Sequence, residues 1–130
     1  GLPFLDFLIN YKKEEMDKNH IDFQLFLDVY DYPFEDRELG TVLGNLLDNA
    51  VASSMDFLAP GAPVPEIRLS LIYQEGNLLL HMDNPCRARQ KPPYGIGMKN
   101  VESRVEKYQG TLVTEIREGR YYTDILLYGS

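Results

Sequence analysis

A central amphipathic helix is predicted by the stretch Glu38-Leu39-Gly40-Thr41-Val42-Leu43-Gly44-Asn45-Leu46-Leu47-Asp48-Asn49-Ala50. Its apolar residues recur at the three- and four-residue spacing of an α-helix and share one broad arc: Leu39, Val42, Leu43, Leu46, Leu47 and Ala50. Glu38, Asn45 and Asn49 fall on a narrow stripe beside that arc. A solvated helix edge explains either asparagine alone. Because asparagine is a middling helix former, the pair on an apolar helix favours a binding site.

The composition of the chain limits the class of protein. Its 130 residues suit a single domain, and 44% hydrophobic with 25% charged residues is ordinary for a globular protein. The net charge of −7 argues against a nucleic-acid partner and against direct contact with an anionic membrane. The single cysteine, Cys86, excludes an internal disulfide and a multi-cysteine zinc site.

The segment before the central helix predicts a helix and then a strand. Residues 2–18 have helical periodicity, and the predicted core positions are Leu2, Leu5, Ile9 and Met16. The charged residues 12–15 are predicted to face outward. Residues 21–29 alternate between apolar and polar side chains, which is typical of a half-buried strand.

Two hairpins and a further helix are predicted after the proline-rich loop of residues 59–65. The first hairpin has strands 67–73 and 78–82 about a turn at 74–77, and the second has strands 112–116 and 122–128 about Glu118-Gly119. An exposed loop is predicted at 83–94. The helix that follows it ends at Gln109-Gly110, and its core positions are Met98, Val101, Val105 and Tyr108. Helices and strands do not alternate strictly in this order. The order favours an α+β fold, a two-layer sandwich in which helices cover one face of a mixed, mostly antiparallel sheet.

Three short motifs resemble those of the GHKL ATPase superfamily. Leu43 to Ala50 is similar to its N-box, and Tyr94 to Val101 resembles its second glycine box with the helix that follows. Asp83-Asn84 ends a predicted strand where the first glycine box has its aspartate. The likeness extends to the catalytic domain of sensor histidine kinases, of the peptide-sensing and quorum-sensing receptor type. It implies a Bergerat-type fold, with residues 1–18 as the end of a dimerisation helix and residues 19–130 as the ATP-binding catalytic domain.

The resemblance implies a site for ATP and Mg²⁺. Asn49 is implied as a metal ligand with Asn45 beside it, and both as catalytic residues, because magnesium prefers oxygen ligands and needs few from the protein. Asp83 is implied to accept a hydrogen bond from the exocyclic amine of adenine. The glycine box, which comprises Gly95, Ile96, Gly97 and Met98, is implied to bring backbone amides and a helix N-terminus to the phosphates.

Simpler interpretations of some site residues remain open. Asn45 can be a cap or a water-bridged amide, and Asp83 can be a residue of the turn at the strand end. Lys91 is a candidate lid cation for phosphate, and the alternative is an ordinary solvated lysine of the loop. His20 and His81 are interpreted as structural, because neither lies within a predicted helix as a phosphoacceptor should.

The function that the resemblance implies is transfer of the ATP γ-phosphoryl group to a histidine on the dimerisation helix, outside this chain. The implied partners are the dimerisation and phosphoacceptor helices of the same receptor and a response regulator. The implied location is the cytoplasmic domain of a membrane-anchored receptor. Departures from the family pattern are Pro85, Cys86 and Arg87 in place of glycines, Pro93 where a glycine is usual, and a short lid. They favour one alternative, a nucleotide-blind module that couples receptor and partner. Another kinase of the superfamily, such as an anti-sigma-factor serine kinase, is a further alternative, and the N-terminal helical segment argues against it.

Overall fold

Five strands form one mixed sheet in the computed structural model of the chain, which describes residues 1–129. The strands are β1 (Asp22–Asp28), β2 (Glu66–Gln74), β3 (Asn77–Pro85), β4 (Thr111–Arg117) and β5 (Arg120–Tyr128), in the spatial order β1-β2-β3-β5-β4. β1 runs parallel to β2, and every other neighbouring pair is antiparallel. The helices are α1 (Leu2–Lys18), α2 (Asp36–Met55) and α3 (Ile96–Lys107). The predicted α+β fold is confirmed.

The apolar arc of α2 forms the centre of the core. Each of its six residues is at most 2% exposed: Leu39, Val42, Leu43, Leu46, Leu47 and Ala50. The sheet supplies the opposite half of the core through alternate residues of β2 and β3: Ile67, Leu69, Leu71, Leu78, Leu80 and Met82. The residues between them in sequence point to the opposite face of the sheet, which the helices do not cover.

Helix α1 packs against α2 more closely than its sequence predicts. Lys12 was predicted to face outward, but this residue is only 8% exposed and its Nζ forms an ion pair with Asp48 of α2. The prediction is wrong because Lys12 follows Ile9 by three residues and precedes Met16 by four, which places it on the buried face. Near the other end of α1, the Phe4 ring lies against Gly40, where an added Cβ would come within 2.9 Å of the ring.

Strand β1 is more exposed than the predicted half-buried strand. Leu25 and Leu27 are 39% and 38% exposed, although their partners Leu69 and Leu71 in β2 are buried. β1 is at the edge of the sheet, and the helical layer does not extend over these two side chains. Alternation correctly predicts the strand, but it cannot tell how far the neighbouring layer reaches.

The boundaries of two loops also differ from prediction. The exposed loop was predicted to begin at Asp83, but β3 continues to Pro85, because it lies between β2 and β5 and pairs with Tyr122 to Arg120. At the end of α3 the left-handed residue is Gln109, with φ 54°, rather than Gly110. An added Cβ on Gly110 would stand 2.0 Å from the Leu126 carbonyl oxygen, so this glycine permits a close backbone approach. Both predicted hairpin turns are present.

No helix within residues 1–129 is both long and apolar enough to cross a membrane.

Candidate functional site

A cavity of about 280 Å³ lies between α2, the N-terminus of α3 and the helix-covered face of β3 and β5. The loop of residues 86–95 closes one side of it. The cavity is lined by Leu46, Asn49, Ser53, Met82, Asn84, Cys86, Ala88, Pro92, Pro93, Tyr94, Gly95, Met98, Tyr121 and Thr123. A mostly apolar lining with a few polar groups is typical of a small-molecule site.

Helix α2 supplies one wall through residues three and four positions apart. Leu46, Asn49 and Ser53 line the cavity because this spacing keeps them on one stripe of the helix. Asn49 is exposed, as a residue at the mouth of the cavity must be. The structure thus places Asn49 beside a cavity.

Asn45 lies one turn before Asn49 but does not line the cavity. Its Nδ2 donates to the Thr41 carbonyl oxygen at 2.7 Å. Its Oδ1 faces the first turn of α3, where an added Cβ on Gly97 would stand only 3.1 Å away. Asn45 therefore packs α2 against the glycine box at the start of α3.

Asp83 and Asn84 occupy opposite faces of the sheet. Met82 and Asn84 line the cavity, whereas Asp83 points to the face that no helix covers. The Asp83 carboxylate accepts hydrogen bonds from Arg120 Nε at 2.7 Å and from Arg68 Nη1 at 3.4 Å. The assignment of adenine contact to Asp83 is thus corrected, because alternation along β3 turns Asp83 away from the cavity that Met82 and Asn84 line.

The carboxamide of Asn84 is oriented by the backbone at the end of β3. Its Nδ2 donates to the Pro85 carbonyl oxygen at 2.9 Å, and Ser53 Oγ donates to the same oxygen at 2.7 Å. The next residue is anchored too, since the Cys86 N–H donates to Gly119 O at 2.8 Å. With Nδ2 engaged, the Asn84 Oδ1 remains as a hydrogen-bond acceptor for a ligand.

Only part of the glycine box lines the cavity. Gly95 and Met98 line the cavity, and α3 begins immediately after Gly95. The first amides of a helix have no intrahelical partner, so this end of α3 can bind an anion. Ile96 is 81% exposed and points away, and Lys91 is in the exposed part of the loop and does not line the cavity.

A buried ion pair joins the two helices of the site. Glu38 is 3% exposed, and its carboxylate contacts Lys107 Nζ and Arg104 Nε of α3, each at 2.9 Å. The hydrogen bond from Lys107 holds the pKa of Glu38 below its ordinary value despite the opposing effect of burial. Glu38 shares the predicted stripe with the asparagines, but it holds α2 against α3 rather than facing the cavity.

The donor set fits magnesium held jointly with a nucleotide. Within residues 1–129, no three His, Cys, Asp or Glu side chains are grouped so that they could hold a metal ion. Magnesium, however, keeps several waters and usually takes only one or two protein oxygens beside substrate phosphates. The exposed carboxamide of Asn49 at the cavity mouth meets this need, whereas the Asn45 oxygen is turned toward Gly97.

Four residues that line the cavity were not predicted as site residues, although the sequence pattern indicates that each of them faces the core side. Asn84 continues the inward alternation of Leu80 and Met82, and Ser53 follows Asn49 by four residues in α2. Tyr121 and Thr123 continue the inward alternation of β5 from Ile125 and Leu127. Tyr94, the first residue of the second glycine box, is anchored by a 2.7 Å hydrogen bond between its hydroxyl and Thr114 Oγ1.

Comparison with known families identifies the class of the protein. The GHKL domain family matches residues 35–128, which is more than half of the chain. The chain therefore belongs to the GHKL domain family, and this membership implies that it binds ATP. A search of curated protein sequences found no match.

Solved structures with the same fold include several histidine kinases. The catalytic domain of the histidine kinase ThkA superposes with a TM-score of 0.77 at 16% identity, over 98% of this chain and 92% of that one. The histidine kinase AdeS of Acinetobacter baumannii gives 0.77 at 16% identity over 98% and 64%, and the mycobacterial sensor histidine kinase MprB gives 0.71 at 19% over 96% and 94%. At these identities the likeness establishes the fold, which is that of histidine kinase catalytic domains.

Proposed function

We propose that the chain is the ATP-binding catalytic domain of a two-component sensor histidine kinase. The observation that carries this proposal is the cavity in which an α2 asparagine, Asn49, and the N-terminus of α3 face the same space. Its reaction is transfer of the γ-phosphoryl group of ATP to a histidine on the upstream dimerisation helix, and α1 is the end of the second dimerisation helix. Membership of the GHKL family and the fold shared with histidine kinases support it.

The two ends of the cavity suit the two ends of ATP. At the β3 end, the free Oδ1 of Asn84 accepts a hydrogen bond from the exocyclic amine of adenine, and Leu46 and Met82 contact the base. At the α3 end, Gly95 and the helix N-terminus receive the phosphates. Magnesium, held by Asn49 together with the phosphates, supplies charge neutralisation. Catalysis by these residues consists of positioning and electrostatic stabilisation.

The receptor type and the partners form a finer part of this proposal. The sequences Leu43 to Ala50 and Gly95 to Gly110 are similar to those of peptide-sensing, quorum-sensing receptors. The proposed partners are the dimerisation and phosphoacceptor helices of the same receptor and a response regulator. The proposed location is the cytoplasmic side of a membrane-anchored receptor.

Calorimetric titration with a non-hydrolysable ATP analogue and Mg²⁺ tests nucleotide binding. The natural sequence should bind, and Asn49→Ala should lose the magnesium-dependent part of the affinity. Asn10→Ala is the matched control, because Asn10 is an exposed helical asparagine on α1, away from the cavity. A folded domain that binds no nucleotide at millimolar concentration, or equal losses in both variants, would contradict the proposal.

Phosphotransfer requires the chain together with the helix that carries the acceptor. The intact receptor, incubated with ATP labelled at the γ-phosphate, should acquire acid-labile phosphohistidine. Acid-stable phosphoserine on an added partner protein would instead support the anti-sigma-factor serine kinase alternative.

A second candidate function is a nucleotide-blind module that couples receptor and partner. Pro93 in the cavity wall favours it, because proline stiffens the loop at a position where the family usually has glycine. Under this alternative the natural sequence binds no ATP, and Pro93→Gly raises the affinity to a measurable value. Binding by the natural sequence that Pro93→Gly leaves unchanged rejects it.

A further inference from the structure

The outer edge of β1 is an unpaired strand edge. β1 stands at the end of the sheet, and within residues 1–129 only β2 pairs with it. The Asp22 N–H donates to the Pro65 carbonyl oxygen at 2.9 Å, so the backbone of Asp22 faces β2. Because successive residues direct their backbone groups to opposite sides of a strand, those of Phe23, Leu25 and Leu27 face away from the sheet. The Phe23 N–H already donates to Asp22 Oδ1 at 3.1 Å, so the edge offers the N–H groups of Leu25 and Leu27 and the carbonyl oxygens of Phe23, Leu25 and Leu27.

Apolar side chains flank the edge on both faces of the sheet. Leu25 and Leu27 are exposed beyond the helical layer, and Phe26 is 57% exposed on the open face. Proteins usually protect sheet edges with lysine, proline or a bulge, and β1 contains neither lysine nor proline. The other edge strand, β4, differs because it carries the exposed ion pair of Glu115 and Arg117. Of the two edges, β1 is the one suited to pairing with an added strand.

The charge around β1 indicates what kind of strand it accepts. Residues 21–34 contain no lysine or arginine and three acidic residues: Asp22, Asp28 and Asp31. The next two acidic residues are already paired, Glu35 with Arg37 and Asp36 with the N-terminal ammonium group. Asp22 and Asp28 bracket the apolar centre of the strand. A segment with basic residues at both ends complements this pattern, whereas a second copy of the chain brings two acidic segments together. A strand of seven residues is also short for the roughly 800 Å² per partner of a stable protein interface, but it matches a peptide.

We infer that the β1 edge binds an extended segment of another protein, apolar at alternate positions and flanked by lysine or arginine, as an added strand of the sheet. The N–H groups of Leu25 and Leu27 and the carbonyl oxygens of Phe23, Leu25 and Leu27 supply the hydrogen bonds, and the exposed side chains of Leu25, Phe26 and Leu27 supply the contacts that select the partner. The edge is separate from the cavity, which involves α2, α3, β3 and β5. It therefore does not depend on nucleotide binding.

A synthetic peptide tests the edge directly. In the probe, valine and threonine alternate between paired lysines, and backbone amide exchange of the protein is followed by NMR. At saturating peptide the amides of Leu25 and Leu27 should gain protection, while those along β4 should not. A peptide with glutamates in place of the lysines should bind at least about tenfold more weakly, because like charges then oppose each other. A peptide with proline at its centre should not protect these amides, since proline cannot donate to the ladder.

A matched pair of surface variants tests the side-chain contribution. Phe26→Lys should weaken binding of the lysine peptide by about tenfold, because it removes an apolar contact and adds a like charge. Val113→Lys makes the same charge change at a residue of equal exposure, 58%, on β4, and should leave binding unchanged. Absence of protection at millimolar peptide, equal binding of the proline peptide, or equal effects of the two variants would overturn the inference. Protection of the same amides that grows with protein concentration alone would also overturn it, in favour of a second copy of the chain.

Discussion

Asp83 and Asn84 are consecutive residues of β3 with separate environments. Asn84 lies in the cavity wall, 5% exposed, while the carboxylate of Asp83 belongs to a charged cluster on the open face of the sheet. The cluster ties β3 to β5 through Arg120 and to β2 through Arg68. One residue step along the strand thus separates the cavity wall from the charged cluster on the open face.

Substitutions at these two positions should affect different properties, nucleotide affinity at Asn84 and stability at Asp83. Asn84→Ala should weaken nucleotide binding by up to about tenfold, because one hydrogen bond contributes roughly 0.5–1.5 kcal/mol. Asp83→Asn should leave affinity unchanged but lower the free energy of unfolding by about 1–3 kcal/mol, because Arg120 loses its charged partner. Calorimetry and urea denaturation of both variants separate the effects. Loss of affinity in Asp83→Asn alone would restore the original assignment of this residue.

His81 makes the charged cluster sensitive to pH. Its Nδ1 lies 2.7 Å from Asp124 Oδ1 and its Nε2 lies 2.8 Å from Asp83 Oδ2. Burial alone lowers the pKa of His81, but hydrogen bonds to Asp124 and Asp83 outweigh burial and raise the pKa above its ordinary value. Because the pKa is raised in the folded state, protonated His81 stabilises the fold. This stabilisation is complete below about pH 6.5 and is lost as the pH rises through the folded-state pKa of His81.

The substitution His81→Gln should therefore remove part of the pH dependence of the free energy of unfolding. The natural sequence should lose stability as the pH rises above about 6.5, and the variant should show a flatter profile over the same interval. Urea denaturation at a series of pH values measures both. If the variant keeps the slope of the natural sequence, another group is responsible for it.

At the scale of elements, α2 contacts every other layer of the molecule. α1 packs on it through Phe4 and Lys12, and α3 is held to it by Glu38 and by the contact between Asn45 and Gly97. Its remaining face contacts β2 and β3. A shift of α2 is therefore transmitted to both ends of the cavity.

Two glycines one turn apart in α2 should respond differently to alanine. An added Cβ on Gly44 meets no atom within 4 Å, whereas on Gly40 it approaches the Phe4 ring to 2.9 Å. Gly44→Ala should raise the free energy of unfolding by about 0.5–1 kcal/mol through helix propensity. Gly40→Ala should gain less or lose stability, because Phe4 must move. Thermal and urea unfolding of the pair measure the difference, and equal gains would mean that α1 is not packed tightly on α2.

At the scale of the whole molecule, nucleotide binding should stabilise the fold. A ligand that binds only the folded state at 100 times its Kd adds about 2.7 kcal/mol. The melting temperature should rise with the ATP analogue and Mg²⁺, and chelation of the metal should remove part of the rise. In Asn49→Ala, chelation should make little further difference. An equal effect of chelation in both proteins would exclude Asn49 as the metal ligand.

The sequence predicts most of the fold but only part of the site. Periodicity is local, so α2, both hairpins and the alternation of β1 follow from residues close in the chain. The burial of Lys12 and the exposure of Leu25 depend on how far neighbouring layers extend, which no local pattern records. Asn84 was missed because the end of β3 was placed too early, although the alternation through Leu80 and Met82 extends to it.

The parallel pairing of β1 with β2 has a consequence for how the chain reaches its native state. Asp22 pairs with Glu66, and the whole of α2 lies between them in sequence, whereas β2–β3 and β4–β5 are joined by tight turns. Loop-closure entropy makes such distant pairings slow, so we expect both hairpins to form early and β1 to join late. During synthesis β1 leaves the ribosome before its neighbour exists, and its apolar residues are then without cover.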